Sequence, residues 1–463
     1  MTRLFNVYFP ERILLLAVSE TALVVLSLMA ATFVIHGGDT SIVLAYEQGY
    51  QKIATTSAIL IMCMYYYDLY DSGILSSPRE VTTRLVQVMG TACLIQVVVY
   101  YGAHSLQLDQ NVYLVGMVFV AVSLVLWRSL FFAMNRFPRL AQRAIVLGKG
   151  PLVPTLATEI EKRPELGIRL VGFLGSPPQA MQPMNGLCHL GGFEDLQRVV
   201  ENDRIDRIVV SMEDQRGKLP IAALLELKTR GVLIEEGTDL YEAVTGKVPI
   251  HSLRASWLVF SSGFRLSPRM LIYKRVFSIV LSSVALVIAL PIMAFVALAI
   301  RLDSSGPIIF RQKRVGKGGK VFTLFKFRSM REGADKERGP RPAQFNDPRI
   351  TWVGHWIRRL RLDELPQLYN ILRGDMYFVG PRPFMPSEEE VFLQEIPFYA
   401  QRMAVKPGAT GWAQVHRGYC ATVEDNIEKL EYDLFYIKNA SVGLDLLTVF
   451  KTVKILVLGR GGR

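Results

Sequence analysis

Long apolar runs separated by short polar segments dominate the N-terminal part of the chain. They cover residues 13–35, 53–67, 85–101 and 112–134, of which the second is the shortest. A transmembrane α-helix needs about 20 mainly apolar residues, so the runs are of the right order of length. Because four such runs within residues 1–141 would leave a soluble domain little polar surface, we predict four transmembrane helices there.

Basic residues are distributed unevenly between these runs. Residues 36–52 and 102–111 contain a single basic side chain, Lys52. The others precede the first run, separate the second from the third, or follow the fourth: Arg3, Arg12, Arg79, Arg84, Arg136, Arg139 and Arg143. Since basic residues favour the cytoplasmic side, the N-terminus and the continuation after the fourth helix are both predicted to be cytoplasmic.

The pattern then changes to short buried strands that alternate with helices. Strands are predicted at residues 143–147, 170–174, 208–211 and 232–234, with helices at 152–160 and 221–229. This alternation predicts a parallel sheet, so residues 142–263 are expected to form a Rossmann-like α/β domain. Gly148 and Gly150 follow the first strand, but Val153 occupies the third glycine position of a dinucleotide fingerprint. The nucleotide motif is incomplete, and a structural or regulatory role for the domain is the alternative.

A further apolar segment at about residues 276–300 is long enough to cross the membrane. Lys274 and Arg275 precede it, and Arg301 follows it, so both flanks favour the cytoplasmic side. Pro291 lies inside the segment and disfavours an uninterrupted helix. We therefore predict a re-entrant helix that enters one leaflet, breaks at Pro291 and returns, with a fifth spanning helix as the alternative.

The composition agrees with a membrane protein that binds anionic partners. Half of the residues are hydrophobic, the mean hydropathy is +0.26, and 53 Lys and Arg residues exceed 41 Asp and Glu residues. A net charge of +12 suits lipid headgroups and phosphorylated substrates. Nucleic acid would also suit this charge, but no nucleic-acid-binding motif is present, so none is predicted as a partner.

Candidate chemistry is concentrated between residues 308 and 383. Asp363 and Glu364 are adjacent carboxylates among several arginines, and leucine spacing predicts a helix that begins at or just before Asp363. Asp363 is either a plain N-cap or a nucleophile beside a phosphate site. Upstream, two strands joined by a glycine turn are predicted over residues 308–330. Their basic residues are either substrate ligands or a lipid-facing surface: Arg311, Lys313, Arg314, Lys317 and Lys320.

Four motifs follow one another in this region: FRQKRVG at 310–316, FKFRSM at 325–330, LDELPQ at 362–367 and GPRP at 380–383. Together they resemble the monotopic bacterial phosphoglycosyl transferases, in the large form with four N-terminal spans. The similar region runs from about residue 274 to near the C-terminus. The resemblance implies that residues 264–463 form an α+β catalytic domain with a re-entrant membrane helix, although the family usually has serine where Leu290 precedes Pro291.

The resemblance also implies an activity and a location. Such an enzyme transfers a sugar-1-phosphate from a UDP-sugar to undecaprenyl phosphate, releases UMP, and initiates the assembly of exopolysaccharide, lipopolysaccharide or another glycan. It would be a multi-pass protein of the bacterial inner membrane, in contact with membrane lipid, with its catalytic domain on the cytoplasmic face. The sugar and the oligomeric state are left open, and a homo-oligomer is one of the options.

Individual residues take their expected roles from the same resemblance. Asp363 would be the nucleophile that accepts the phospho-sugar, and Glu364 would bind Mg²⁺ and assist the second step. Substrate-binding positions are implied at Lys326, Arg358, Arg382 and Pro383. A solvated face is predicted for acidic residues of a later helix, Glu424, Asp425, Glu428, Glu431 and Asp433, with a supporting polar role as the alternative for Asp433 and Asp445.

Two other functions remain open at the level of sequence. A membrane glycosyltransferase would transfer only the sugar, release UDP, and have no need of Asp363 as a covalent nucleophile. A membrane-anchored nucleotide-binding scaffold would use residues 142–250 and tolerate the loss of Asp363.

Overall fold

A computed structural model describes most of the chain, and the described residues form two compact units. The units comprise residues 1–2 with 8–245, and residues 3–7 with 246–463. The described residues are 1–4, 6–71, 77–137, 141–175, 187–212, 219–253, 257–258, 261, 263–264, 266–333, 347–418 and 422–458. Arg139, which contributed to the predicted membrane orientation, lies outside them. Two short strands, β1 (Thr2–Leu4) and β2 (Val7–Phe9), lie near the N-terminus.

The first unit begins with a helical bundle. Its helices are α1 (Glu11–His36), α2 (Thr40–Tyr46), α3 (Gly49–Tyr66), α4 (Pro78–Gly102) and α5 (Gln110–Arg136). Asp109 caps α5 by accepting hydrogen bonds from the N–H groups of Asn111 and Val112. Side chains from the helices share one buried apolar cluster, which includes Leu28, Leu60, Met64, Val88 and Val120. Burial of this cluster supplies the main favourable packing within the bundle.

Within the described residues, four helical segments are long and apolar enough to cross a membrane: Glu11–Tyr46, Arg79–Gly102, Gln110–Asn135 and Pro268–Asp303. The first three contain the first, third and fourth predicted spans. The second predicted span lies in α3, which is 18 residues long and does not belong to this set. Whether α3 also crosses the membrane stays a prediction.

Glu20, which interrupts the first apolar run, has a buried partner in the bundle. Arg128 of α5 places Nε 2.6 Å from Oε1 of Glu20 and Nη2 2.9 Å from Oε2. Arg128 also donates to the carbonyl oxygen of Leu69 at 3.1 Å. Ionisable side chains inside an apolar bundle are tolerated when they pair in this way. Glu20 is therefore compatible with a membrane-spanning α1.

The α/β domain of the first unit contains a five-stranded parallel sheet with the order β5-β4-β3-β6-β7. The strands are β3 (Gln142–Leu147), β4 (Ile168–Leu174), β5 (Cys188–Gly191), β6 (Arg207–Val210) and β7 (Leu233–Glu236). The helices are α6 (Val153–Glu161), α7 (Leu196–Asp203), α8 (Ile221–Thr229) and α9 (Gly237–Thr245). Successive residues of β3 enter buried clusters on opposite sides, Val146 on one and Leu147 on the other. The predicted parallel α/β sheet is confirmed, and its strand order, 3-2-1-4-5 when the strands are counted within the domain, follows that of the Rossmann fold.

The longest described helix of the second unit is α10 (Pro268–Asp303), an apolar helix of 36 residues. Ser267 caps it by accepting the N–H of Met270, and proline suits its first position. The helix is continuous and includes Pro291. The predicted break in the helix at Pro291 is therefore wrong, because the helix continues through this proline. The route of the helix through a membrane stays a prediction.

The rest of the second unit is a mixed α/β structure. An antiparallel hairpin joins β8 (Ile309–Val315) to β9 (Val321–Phe327), as predicted, through a turn in which Gly318 and Gly319 have positive φ. Two short parallel strands, β10 (Tyr377–Val379) and β11 (Gly408–Thr410), form a second sheet. The helices are α11 (Trp352–Arg359), α12 (Gln367–Arg373), α13 (Pro386–Glu395), α14 (Trp412–His416), α15 (Val423–Lys438) and α16 (Val442–Val457).

Candidate active site

Asp363 and Glu364 lie on a tight turn between two helices. Helix α11 ends at Arg359, a 3-10 turn spans Leu362–Glu364, and α12 begins at Gln367. The prediction that an α-helix begins at or just before Asp363 is therefore wrong. Arg361 adopts a left-handed conformation with φ of 55° and separates the turn from α11. A non-glycine residue in this region costs about 1–2 kcal/mol, so surrounding contacts must hold the turn in place.

Apolar packing on both sides supplies those contacts. Leu362 and Leu365 pack against a buried cluster that contains Ile300 of α10 and Phe327 of β9. Leu368 and Ile371 of α12 belong to a neighbouring cluster with Leu324 and Met376. The two carboxylates thus project from a segment that is anchored before and after them.

Glu364 is the centre of the charged site. Its Oε1 lies 3.0 Å from Nζ of Lys326 and 3.0 Å from Nη2 of Arg382, and both groups donate hydrogen bonds to it. Arg361 approaches the other oxygen at 3.5 Å. The side chain of Glu364 is only 18% exposed, so these cations act with limited solvent screening. Three motifs that are far apart in sequence therefore meet at one carboxylate.

Asp363 differs from its neighbour in its contacts. Within the part of the chain that the structure describes, this carboxylate forms no hydrogen bond or ion pair at contact distance. Burial raises the pKa of Asp363, and the adjacent Glu364 adds to that effect, while Lys326, Arg358 and Arg382 oppose it. Burial alone would also raise the pKa of Glu364, but Lys326, Arg382 and Arg361 outweigh it and hold that pKa well below its usual range. The pair therefore combines a firmly anionic Glu364 with a less acidic Asp363.

A small pocket opens next to Lys326 and Arg382, the two cations that contact Glu364 at 3.0 Å. Its lining includes the cations Arg314, Lys326 and Arg382 together with Leu324, Gln367, Pro383, Gly408 and Ala409. Pocket, carboxylates and cations lie in the same unit, where phosphate oxygens would meet several positive charges. Such a site suits an anionic, phosphorylated substrate.

The predicted site residues take distinct places. Lys326 and Arg382 contact Glu364 directly, and Pro383 lines the pocket. Arg358 is partly buried and close enough to Asp363 to lower its pKa. The structure thus brings the predicted residues together, and their individual catalytic roles stay predictions.

Of the residues at the site, sequence reasoning missed Gln367, grouped Arg361 only with the arginines around the two carboxylates, and left the inward-facing Arg314 unassigned. Arg314 was left between a substrate ligand and a lipid-facing surface, but its side chain is only 16% exposed and donates to the carbonyl oxygen of Pro383. Strand alternation was the available signal. In the hairpin register, Arg314 and Lys326 point to the same face, whereas Arg311 and Lys313 occupy the other face and are exposed.

The predicted solvated face on α15 is wrong for its later residues. Glu431 and Asp433 are buried, and Asp433 accepts hydrogen bonds from Arg402 at 3.0 and 3.3 Å. Asp445 of α16 is also buried and pairs with Lys274 at 2.8 Å. The acidic spacing alone could not show this, because the basic partners lie on other elements.

The carboxylates of the site could bind a magnesium ion only together with oxygen atoms of the substrate. Within the described ranges no three His, Cys, Asp or Glu side chains are grouped to hold a metal. Mg²⁺ is commonly bound by one or two carboxylates together with substrate phosphates. Asp363 and Glu364 supply such oxygen donors beside a cationic pocket, so they suit this mode of binding.

Comparison with known proteins identifies the family. The bacterial sugar transferase family matches residues 269–459, and a CoA-binding domain family matches residues 66–229. A UDP-glucose:undecaprenyl-phosphate glucose-1-phosphate transferase of Xanthomonas campestris pv. campestris is 31% identical over 99% of the chain and 96% of that protein. An undecaprenyl-phosphate glucose phosphotransferase of Komagataeibacter xylinus is 34% identical over 70% of the chain.

A third relative is more similar over a shorter region. The UDP-N-acetylgalactosamine-undecaprenyl-phosphate N-acetylgalactosaminephosphotransferase of Aeromonas hydrophila is 44% identical over 49% of the chain. The matches span 52% of the Aeromonas protein and 60% of the Komagataeibacter protein.

The first turn of the α/β domain does not fit the nucleotide that a CoA-binding domain implies. The N–H groups of Gly148 and Gly150 already donate to the carbonyl oxygens of Leu174 and Ser211, at 2.8 and 2.7 Å. A Cβ atom would lie 2.4 Å from Met212 at Gly148 and 2.6 Å from Ser211 at Gly150. Both glycines therefore permit close packing against the segment after β6, and this turn offers little access to a diphosphate.

The motifs, the site they form and the near full-length similarity to the Xanthomonas protein agree. The chain belongs to the bacterial sugar transferase family, whose enzymes are phosphoglycosyl transferases.

Proposed function

We propose that this enzyme transfers a sugar-1-phosphate from a UDP-sugar to undecaprenyl phosphate through a covalent intermediate on Asp363, with release of UMP. The activities of the relatives support both substrates. The observation that carries the mechanism is the contrast within the carboxylate pair. Glu364 is held by three cations, whereas Asp363 is available beside the same cationic pocket.

In the first step, a carboxylate oxygen of Asp363 attacks the phosphorus that bears the sugar. The new bond joins that oxygen to phosphorus, and the bond between phosphorus and the bridging oxygen of the diphosphate breaks. UMP leaves with the electron pair of that bond. The product is a mixed anhydride between Asp363 and the sugar phosphate, as expected for nucleophilic catalysis by a carboxylate.

In the second step, a phosphate oxygen of undecaprenyl phosphate attacks the same phosphorus. The bond to Asp363 breaks, which regenerates the carboxylate and yields undecaprenyl diphosphate sugar. One pocket can thus serve a water-soluble donor and a lipid acceptor in turn, because UMP leaves before the lipid reacts.

Lys326, Arg358 and Arg382 would offset the negative charge of the phosphate oxygens in both steps, and Pro383 would shape the pocket wall. Phosphoryl transfer depends chiefly on such positioning and charge neutralisation. Glu364, with Asp363, would hold a shared Mg²⁺, which would supply further charge neutralisation at the phosphates. Binding of the metal would require Glu364 to exchange part of its contact with Lys326 and Arg382.

The proposed location follows from the apolar helices and the charge pattern. We place the enzyme in the bacterial inner membrane, with spanning helices in residues 1–141, an α/β domain in 142–263 and a cytoplasmic catalytic domain in 264–463. The apolar surface of α10 would enter the membrane so that the site faces the lipid substrate at the interface.

The test is a half-reaction without lipid. Purified enzyme with Mg²⁺ is mixed with UDP-glucose, UDP-N-acetylgalactosamine or UDP-galactose, and the released nucleotide and the intact protein mass are measured. We expect about one UMP per enzyme and a mass gain equal to one sugar phosphate with the correct donor, followed by turnover when undecaprenyl phosphate is added.

Asp363→Asn should abolish both the UMP burst and the mass gain. Glu390→Gln, at an exposed carboxylate of the same unit, is the matched control and should behave as wild type. Release of UDP would instead identify a transferase that moves only the sugar. A UMP burst that survives in Asp363→Asn would rule out Asp363 as the nucleophile.

A further inference from the structure

Four consecutive carbonyl groups next to the active site are fixed by donors from other parts of the second unit. The oxygen of Pro381 accepts from the N–H of Gly408 at 2.9 Å, and that of Phe384 accepts from the N–H of Val315 at 3.0 Å. Between them, Pro383 accepts from Arg314 at 3.2 Å and Arg382 accepts from Arg402 at 2.8 Å. The segment that carries Arg382 is irregular, so these bonds replace a regular backbone ladder.

Arg402 is unusual among the four donors because its charge is buried. Its side chain is 5% exposed, and Asp433 accepts from its Nε and Nη2 at 3.3 and 3.0 Å. Tyr399 accepts from Nη1 at 3.0 Å, and Glu389 lies 3.6 Å from the same nitrogen. The guanidinium thus has two carboxylates and a hydroxyl around it and directs its remaining donor capacity to Arg382.

The energetic cost of this arrangement suggests a purpose beyond stability. A buried ion pair often contributes little net stability, because desolvation offsets the Coulombic attraction. Any neutral donor could satisfy one carbonyl oxygen. A guanidinium, however, has a planar fork with fixed directions, so partners on two sides define where its donors point. The group is suited to fixing the position of the Arg382 backbone.

We propose that Arg402 is a positioning residue for phosphoglycosyl transfer, and that it acts by holding the Arg382 carbonyl so that the Arg382 side chain meets Glu364 and the substrate phosphates. This inference rests on the proposed function. Arg402 makes no described contact with Asp363 or Glu364, but it contacts Arg382, whose side chain reaches Glu364. A displacement of about 1 Å at a catalytic group can lower a rate roughly 100-fold, so a shift of this backbone would be felt in turnover.

The decisive experiment is a double-mutant cycle between Arg402→Lys and Arg382→Ala in the full-length enzyme. Arg402→Lys keeps the positive charge beside Asp433 but loses the fork. We expect it to lower kcat/KM for the UDP-sugar roughly 10- to 100-fold in the wild-type background. In the Arg382→Ala background the same change should cost less than about twofold, since the group that it positions is already gone.

The affinity for UMP, measured with radiolabelled nucleotide in the same four proteins, gives a second double-mutant cycle that does not depend on turnover. The losses of affinity should be non-additive in the same way.

Tyr399→Phe is the second variant, because it keeps the guanidinium and both carboxylates and removes only one hydroxyl that orients them. It should cause a smaller loss that also disappears in Arg382→Ala. Arg417→Lys, at a half-exposed arginine paired with Glu428, is the matched control and should leave kcat/KM unchanged.

Additive losses in the two backgrounds would overturn the proposal, because they would show a contribution independent of Arg382. Full activity of both Arg402→Lys and Tyr399→Phe would overturn it as well. Wild-type enzyme that releases no UMP with any donor would instead contradict the proposed function. Wild-type turnover with an additive cycle would contradict only the role of Arg402.

Discussion

The two adjacent carboxylates have opposite electrostatic environments, and this difference predicts the pH dependence of the first step. In the proposed mechanism Asp363 must be ionised to attack, and burial raises its pKa. Activity should therefore fall as the pH decreases through this raised pKa, at a higher pH than for an ordinary aspartate. Glu364 should stay ionised throughout, because neighbouring cations outweigh its burial and hold its pKa low.

Lys326→Met should shift the acidic limb of the pH–activity profile, where activity falls with decreasing pH, to higher pH. Lys326 is the cation that lowers the pKa of Asp363 most, so its removal should raise that pKa further. The measurement is the rate of the UMP burst between pH 5 and 9 without lipid, which avoids titration of the lipid phosphate. Glu364→Gln should move the limb in the opposite direction. An unchanged limb in both variants would show that another group controls the profile.

Sequence motifs predicted which residues meet at the site but could not predict how they are held. Asp363, Glu364, Lys326 and Arg382 lie within motifs whose order is informative. The left-handed conformation of Arg361 depends on packing of the turn that follows it, which local sequence does not encode. Arg402 lies outside those motifs, and its role depends on a carbonyl oxygen rather than on a side-chain pattern.

Among the elements, α12 is joined to the hairpin by one buried amide. The Oδ1 of Asn370 accepts from the N–H of Phe325 at 3.0 Å, and its Nδ2 donates to the carbonyl oxygen of Thr323 at 2.7 Å. The side-chain amide of Asn370 thus forms the pair of hydrogen bonds with β9 that a neighbouring strand would form. Because Lys326 is the next residue of β9, this contact sets the hairpin against the segment that carries Glu364.

Asn370→Asp should loosen this junction. The new carboxylate cannot donate to Thr323, and it would face Asp375, whose Oδ2 now accepts from Asn370 at 3.2 Å. A buried acceptor left without its donor costs about 1–3 kcal/mol, so a lower thermal unfolding midpoint and a lower kcat/KM are expected. Thermal unfolding in detergent and the UMP assay measure the two effects. An unfolding midpoint equal to that of wild type would contradict this role for Asn370.

Glu431 predicts a pH-dependent attachment of the segment that begins the second unit. The Glu431 carboxylate accepts a hydrogen bond from the N–H of Ile250 at 3.2 Å. The backbone carbonyl oxygen of Glu431 accepts a hydrogen bond from the N–H of Val248. Burial raises the pKa of Glu431 to about 7. A raised carboxyl pKa stabilises the folded form below the unfolded pKa of about 4.5, and this stabilisation is lost as the pH rises through about 7.

Limited proteolysis of residues 246–253 should accordingly be faster at pH 8 than at pH 5.5. Glu431→Gln keeps an acceptor for Ile250 without a buried charge, so it should slow cleavage at pH 8 and remove much of the difference. The proteolysis rate of an exposed site elsewhere serves to correct for the protease's own pH dependence. Equal pH dependence in wild type and Glu431→Gln would exclude Glu431 as the cause.

Helices and strands were predicted correctly where the hydrophobic pattern of the sequence was clear. The parallel strands β3, β4, β6 and β7, the hairpin and the long apolar helices follow from buried runs and turn glycines. Strand β5 was missed because Cys188–Gly191 is short and partly exposed. The start of α12 was placed too early, since leucine spacing continues through a 3-10 turn whose geometry depends on Arg361 and Pro366.

At the scale of the second unit, α10 contacts the catalytic part near both of its ends. Near the N-terminal end, Arg275 donates to the carbonyl oxygens at the end of α12, and Ser278 accepts the N–H of Phe378. Near the C-terminal end, Val296 and Ile300 belong to the cluster beside Asp363. A helix that crossed the bilayer would carry these ends to opposite faces. The polar catalytic part could not contact both without entering the membrane itself.

We therefore predict that both ends of α10 lie on the cytoplasmic side. Arg269→Cys and Ser305→Cys, each at an exposed position in a variant whose four cysteines are replaced by serine, report on the two ends. An impermeant maleimide should label both only after the inner membrane is permeabilised. Ser105→Cys, between α4 and α5, should react in intact spheroplasts. Labelling of Arg269→Cys and Ser305→Cys from opposite sides would establish a full span and contradict the re-entrant path, because a helix that returns within one leaflet must leave both flanks in the same compartment.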